Sequence, residues 1–153
     1  MANVRNVGPI MGNLRRSRGY TFETYLVKKF NDLPDWSAKR LGGASTGLCD
    51  IVAVNNEKSV LLAIEAKSLR GRSVDVPADE VQRCHDICKF FGKYEKRFTI
   101  VATRLGTNHK PVYSYWDIQQ EGKITRVRAH QKALSIWYED APKIGVSNTW
   151  VQV

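Results

Sequence analysis

Apolar residues recur at helical spacing near the start of the chain. Within residues 14–33, Leu26, Val27 and Phe30 fall on one stripe, which predicts a helix with one buried side. The same stripe extended back by one turn reaches Glu23, so a carboxylate lies on or at the edge of the core-facing side. An ionised group there needs a partner or a bound cation. The simpler interpretation is a glutamate at the border of the stripe that reaches solvent or an arginine.

Two apolar, β-branched runs separated by turn residues predict a β-hairpin. Residues 49–54 and 59–64 form the runs, and 55–58, with the sequence Asn-Asn-Glu-Lys, form the turn. The strands of this hairpin are the best-defined elements that the sequence predicts.

The hairpin brings charged residues together at its open end. Counted outward from the turn, Asp50 falls opposite Ile64 or Glu65, where opposed side chains lie about 5 Å apart at Cβ. Side chains alternate along a strand, so Glu65 and Lys67 share a face and Ala66 points away. Two carboxylates and an ammonium at one point form the arrangement that a metal-dependent phosphodiesterase needs.

The remaining pattern predicts a mixed α/β sheet flanked by helices. The further expected elements are a strand at 36–40, a glycine-rich loop at 41–47, an exposed basic loop at 68–73, a helix from about Ala78 to Phe91 with an apolar stripe of Val81, Cys84, Cys88 and Phe91, a strand at 98–103, and short strands at 110–116 and 123–128. The order helix, strands, helix, strand is typical of a sheet covered by helices, and 153 residues suffice for one domain spanning 1–153.

Composition favours a polyanionic partner. Lys and Arg number 24 against 15 Asp and Glu, which gives a net charge of +9 and points first to nucleic acid, although a basic protein without such a partner is also consistent with the charge. No apolar stretch is long enough to span a bilayer and no signal peptide is visible, so we expect a cytoplasmic protein without a membrane partner. The three cysteines are expected to be core thiols without a disulfide, rather than a zinc site.

Taken in order, these residues resemble the PD-(D/E)xK nuclease superfamily and, within it, the archaeal-type Holliday junction resolvases. The likeness runs from about residue 16 to 103. It is carried by Arg18-Gly19 and Glu23 on the first helix, Lys39-Arg40 and Ser45 around the glycine-rich loop, Asp50 opening a strand, Glu65-Ala66-Lys67 closing the next, and Gln82 on the following helix. Two positions depart from the pattern: Cys49 replaces a frequent proline, and Thr24 stands where the resolvases usually carry a basic residue.

The resemblance implies a restriction-endonuclease-like fold and a set of catalytic roles. Asp50 and Glu65 are expected to coordinate Mg²⁺, for which Mn²⁺ is expected to substitute, with the Ala66 carbonyl as a third ligand and Glu23 completing the site directly or through water. Lys67 is expected to orient or deprotonate the attacking water.

The same resemblance implies the substrate and the assembly. Ser45 is expected at the scissile phosphate, and the expected phosphate-binding residues are Arg18, Lys39, Arg40, Arg70 and Arg72. The substrate would be a DNA four-way junction, cut to leave a 5′-phosphate by a homodimer whose two-fold symmetry matches that of the junction. Residues 104–153 are expected to complete the sheet and to contribute to the dimer surface.

Two other functions remain compatible with the sequence. One is a different PD-(D/E)xK endonuclease that acts on linear or branched DNA. The other is a basic nucleic-acid-binding module whose carboxylates only balance neighbouring cations.

Overall fold

The predicted hairpin is present and supplies two central strands of the sheet. Strands β2 (Ile51–Asn55) and β3 (Val60–Leu69) pair antiparallel, with Ile51 opposite Ile64, so the register extended by one residue sets Asp50 opposite Glu65. The computed structural model describes residues 21–107, 109, 111–118, 125–128, 142 and 148–152.

A mixed six-stranded sheet surrounds the hairpin, in the order β1-β2-β3-β5-β6-β8 for the described residues. Its other strands are β1 (Trp36–Arg40), β5 (Lys96–Leu105), β6 (Val112–Asp117) and β8 (Asn148–Gln152). Strands β3 and β5 pair in parallel over ten residues, as β6 and β8 do over five, and the other neighbours are antiparallel. Strands β4 (Ser73–Val76) and β7 (Thr125–Arg128) form a separate two-stranded ladder.

Helix α1, described over 21–31, covers one face of the sheet. Leu26 and Phe30 are fully buried there and pack with Leu62 and Ile64 of β3, which confirms the predicted apolar stripe. The Phe30 ring also meets the Trp36 ring edge-on, with centroids 5.0 Å apart.

Helix α2 (Ala78–Phe90) covers the opposite face. Its Cys84 and Ile87 pack with Leu61 and Ala63, the residues of β3 that alternate with those facing α1. Cys49 belongs to the same cluster, and Cys49, Cys84 and Cys88 are all free cysteines. No helix in the described part of the chain is long and apolar enough to cross a membrane.

Several predicted boundaries were wrong. The basic loop at 68–73 shrinks to residues 70–72, because β3 continues to Leu69 in its parallel pairing with β5 and β4 begins at Ser73. Phe91 lies beyond the end of α2 and is exposed. Ile87 occupies the core position that had been predicted for Phe91. Strand β8 was not predicted, since its sequence offers no clear alternation. The predicted start of α1 at Leu14 lies outside the described residues.

Candidate active site

The carboxylates of Asp50 and Glu65 form the centre of the site. Asp50 immediately precedes β2 and Glu65 lies in β3, on the side of the sheet that faces α2. Asp50 Oδ2 accepts a hydrogen bond of 2.8 Å from the backbone N–H of Ala66, the residue that follows Glu65. The spatial pairing expected from the hairpin is therefore present.

Both carboxyl groups are buried and short of compensating charge. Asp50 is 9% exposed and Glu65 4%, and Glu65 Oε2 is buried with no hydrogen-bond partner among the described residues. Burial, reinforced by the neighbouring Asp50, raises the pKa of Glu65 to about 9. Burial also raises the pKa of Asp50, against the stabilising Ala66 N–H. Two buried carboxylates that repel each other are a favourable place for a cation.

Lys67 lies next to this pair and contacts a second acidic group. Its Nζ is 3.5 Å from Glu65 Oε1 and 2.5 Å from Oε2 of Glu80, in the first turn of α2. Burial opposes the ammonium, but Glu80 and Glu65 outweigh it and raise the pKa of Lys67. Lys67 is therefore held as a cation inside the site.

Glu80 is the residue at this site that the sequence analysis did not identify. An acidic residue in the first turn of a helix is already favoured by the helix dipole, so its place there does not by itself indicate a site residue. A signal was available, because Glu80 precedes the buried Cys84 by four residues and Ile87 by seven, which sets it on the same stripe. Gln82, which the resemblance had selected on this helix, instead donates a 2.9 Å hydrogen bond to Asp86 one turn further along.

The glycine-rich loop lies directly against Asp50. A short 3₁₀ turn, Gly43–Ser45, brings the buried Gly43 so close that a Cβ there would lie 2.4 Å from Asp50 Oδ1. The Asp50 carbonyl accepts a 2.7 Å hydrogen bond from the Leu41 N–H, which ties the loop to the strand. Ser45 is exposed and its hydroxyl donates to the Gly42 carbonyl at 2.8 Å, so its expected contact with a phosphate stays a prediction.

Glu23 and Arg40 form an ion pair near the site. Arg40 Nε donates to Glu23 Oε2 at 2.8 Å, and the Glu23 side chain is 15% exposed. Burial raises the pKa of Glu23 against the effect of Arg40, and Asp50 and Lys67 are close enough to influence it. Glu23 therefore reaches an arginine, as the simpler interpretation of the sequence proposed, and its role as a metal ligand stays a prediction.

The other predicted phosphate-binding residues are accessible where they are described. Lys39, Arg70 and Arg72 are exposed, whereas Arg40 is half-buried by its pairing with Glu23. Arg18 lies outside the described residues.

The donor set fits a hard divalent cation that keeps several waters. Within the described residues, no three His, Cys, Asp or Glu side chains converge as a ready-made metal site. Asp50 and Glu65 nevertheless supply adjacent carboxylates, one of them with an unpartnered oxygen, which suits Mg²⁺ better than a cation that needs a full set of protein ligands. The Ala66 carbonyl remains the predicted third ligand.

Comparisons with known proteins bear on the fold. Neither a protein-family model nor a curated protein matches the chain. Among solved structures, the chain is similar to Hjc, a Holliday junction resolvase from the archaeal hyperthermophile Archaeoglobus fulgidus. The identity is 24% and the TM-score 0.54, and the match covers 72% of this chain and 83% of the other. The chain therefore has the fold of that protein, which confirms the expected α/β architecture.

Proposed function

We propose that the protein is a metal-dependent DNA endonuclease that resolves four-way junctions. The observation that carries the proposal is the buried pair of Asp50 and Glu65, with an unpartnered carboxylate oxygen next to the ammonium of Lys67. A binding module that only balances charge would have no need to bury two mutually repelling carboxylates. The net charge of +9 and the similarity in fold to a junction resolvase support DNA as the substrate.

The proposed chemistry assigns a role to each residue of the site. Asp50 and Glu65, with the Ala66 carbonyl, would hold Mg²⁺ or its expected substitute Mn²⁺, and Glu23 would contribute through water. A bound divalent cation supplies Lewis acidity toward the phosphate and acidifies its water ligands. Lys67 orients the attacking water and offsets negative charge that develops on the phosphate oxygens. Hydrolysis would leave a 5′-phosphate at the cut.

Substrate contacts are proposed around this centre. Lys39, Arg70 and Arg72 are exposed cations that can bind backbone phosphates without reading base sequence, and Ser45 lies on the loop that touches Asp50. The assignment of Arg18 as a phosphate-binding residue rests on the sequence resemblance alone. Recognition would then follow the shape of the junction.

Assembly and location complete the proposal. A homodimer would present two active sites to the two opposed strands of a junction, and residues 104–153 remain the predicted source of its surface. An active enzyme that is strictly monomeric by light scattering would contradict this part. Action on DNA agrees with the cytoplasmic location expected from the sequence.

The test is cleavage of a labelled immobile four-way junction in Mg²⁺. Wild type should cut the junction at paired, opposed positions, and Asp50→Asn, Glu65→Gln and Lys67→Ala should bind the junction but lose cleavage. Glu57→Gln is the matched control for Glu65→Gln, because Glu57 is an exposed glutamate in the turn of the same hairpin. Full activity of Asp50→Asn or Glu65→Gln would remove the metal-ligand assignment.

The alternatives give different results in the same assay. A related endonuclease of other specificity would cut the component duplexes as well as it cuts the junction. A binding module would shift the junction in a gel without Mg²⁺-dependent products.

A further inference from the structure

The ammonium of Lys67 is anchored to Glu80 more closely than to Glu65. Nζ lies 2.5 Å from Glu80 Oε2 and 3.5 Å from Glu65 Oε1. Both partners of the shorter contact are largely buried, with the Lys67 side chain 21% exposed and that of Glu80 22%. An ion pair this short between largely buried groups is stronger than an exposed one, because less water screens the two charges.

The position of Glu80 is fixed by the first turn of α2. The N–H groups of Glu80 and Val81 both donate to the Pro77 carbonyl, at 3.1 and 3.2 Å. Val81 is fully buried, as is Cys84 one turn later, so the helix cannot rotate without exposing apolar surface. Glu80 therefore reaches the site from a rigid element on the face of the sheet that carries Glu65 and Lys67.

We propose that Glu80 is a positioning residue that holds the Lys67 ammonium at the reacting centre of the nuclease. This inference rests on the proposed function. Once Asp50 and Glu65 hold a cation, the charge of Glu65 is largely offset and its attraction for Lys67 weakens. Glu80 then remains as the anchor. The lysine side chain is a flexible four-carbon stem, and without that anchor its ammonium would sample many positions around the site.

The kinetic test removes the charge of Glu80 and keeps the shape of its side chain. In Glu80→Gln, kcat for junction cleavage should fall about 10- to 100-fold, because misplacing a reacting group by about 1 Å can cost 100-fold, while KM changes little. Glu80→Asp keeps the charge on a shorter side chain and should restore part of kcat. Asp79→Asn is the matched control: it removes the same charge from the same helical turn, but Asp79 is 70% exposed and pairs with Arg83 at 3.2 Å. Its kcat should stay at the wild-type value.

A second readout does not depend on cleavage. Reductive methylation of the protein without DNA or metal, followed by peptide mass spectrometry, reports how accessible the Lys67 amine is. It should be modified severalfold faster in Glu80→Gln than in wild type or Asp79→Asn. Faster modification together with a wild type that cuts no DNA would refute the proposed nuclease and leave the anchoring contact intact.

Several results would overturn the inference itself. They are an unchanged kcat in Glu80→Gln, a loss no larger than that of Asp79→Asn, a loss confined to KM, or unchanged methylation of Lys67. If Glu80→Gln does not fold, Glu80→Asp decides by the same two measurements. The kcat of Glu80→Asp should then lie between those of wild type and Lys67→Ala. Its rate of Lys67 methylation should lie between that of wild type and that of a fully accessible lysine amine. Wild-type values for both would overturn the proposal.

Discussion

The glycine-rich loop gives the sharpest structural test of the site. Gly43→Ala introduces two costs: a left-handed backbone at φ +57°, and a Cβ 2.4 Å from Asp50 Oδ1. The backbone cost is about 1–2 kcal/mol, and forcing extra volume into a packed position adds about 1–3 kcal/mol. We therefore expect a loss of about 2–5 kcal/mol in the free energy of unfolding, measured by urea denaturation. Because the collision moves the carboxylate of Asp50, Mg²⁺-dependent cleavage should fall as well.

Gly47→Ala separates these two costs. Gly47 has a similar left-handed φ of +73°, but a Cβ there would meet no atom of the described residues within 4 Å. This variant should lose only the backbone cost of about 1–2 kcal/mol and should keep its cleavage activity once folded. Equal losses of stability in the two variants, or normal cleavage by folded Gly43→Ala, would refute the close approach of the loop to Asp50.

Three further predictions address charge, core and DNA binding. Because the pKa of Glu65 rises from 4.5 to about 9 on folding, the protonated form is the one that stabilises the metal-free protein. Stability should then fall between about pH 4.5 and 9, by at most about 3 kcal/mol at pH 7. Glu65→Gln should reduce this slope in thermal melts with chelator and leave the contributions of Asp50 and Glu23, whose pKa values are also raised; an undiminished slope contradicts it. Thr103→Val removes the acceptor of the buried Trp116 indole N–H, which donates to Thr103 Oγ1 at 2.8 Å. The free energy of unfolding in urea should fall by about 1–3 kcal/mol; wild-type stability would refute that bond. Replacing the exposed Arg70 and Arg72 by alanine should lower the salt slope of DNA binding by about two, equally for duplex and junction; an unchanged slope excludes their phosphate contacts.

The core of the site could be predicted because it depends on local chain geometry. A hairpin with a short polar turn has little freedom of register, and counting outward from residues 55–58 set Asp50 opposite Ile64 or Glu65; the observed pairing of Ile51 with Ile64 favours Glu65. Alternation along β3 likewise set Glu65 and Lys67 on one face. These inferences needed only the period of a strand and a recognisable turn.

The contribution of α2 could not be fixed in the same way. Whether Asp79, Glu80 or Gln82 faces the sheet depends on how the helix is rotated, which packing decides through Val81 and Cys84. The stripe argument that selected Glu23 applies equally to Glu80, but the helix dipole by itself accounts for an acidic residue in the first turn of a helix. The helix dipole therefore gave no reason to look for the tertiary contact of Glu80 with Lys67.

Charge balance connects the separate observations. The centre contains four carboxylates, on Glu23, Asp50, Glu65 and Glu80, against the cations of Arg40 and Lys67, and both cations are already paired, with Glu23 and Glu80 respectively. Asp50 and Glu65 are therefore left without a cation of their own, and burial is the main cause of the raised pKa of each. A phosphate approaching this arrangement would meet two cations that are already paired with carboxylates. Under the proposed function, productive binding of DNA at the site would require a divalent cation held by Asp50 and Glu65, whereas Lys39, Arg70 and Arg72 at the surface would bind DNA without one.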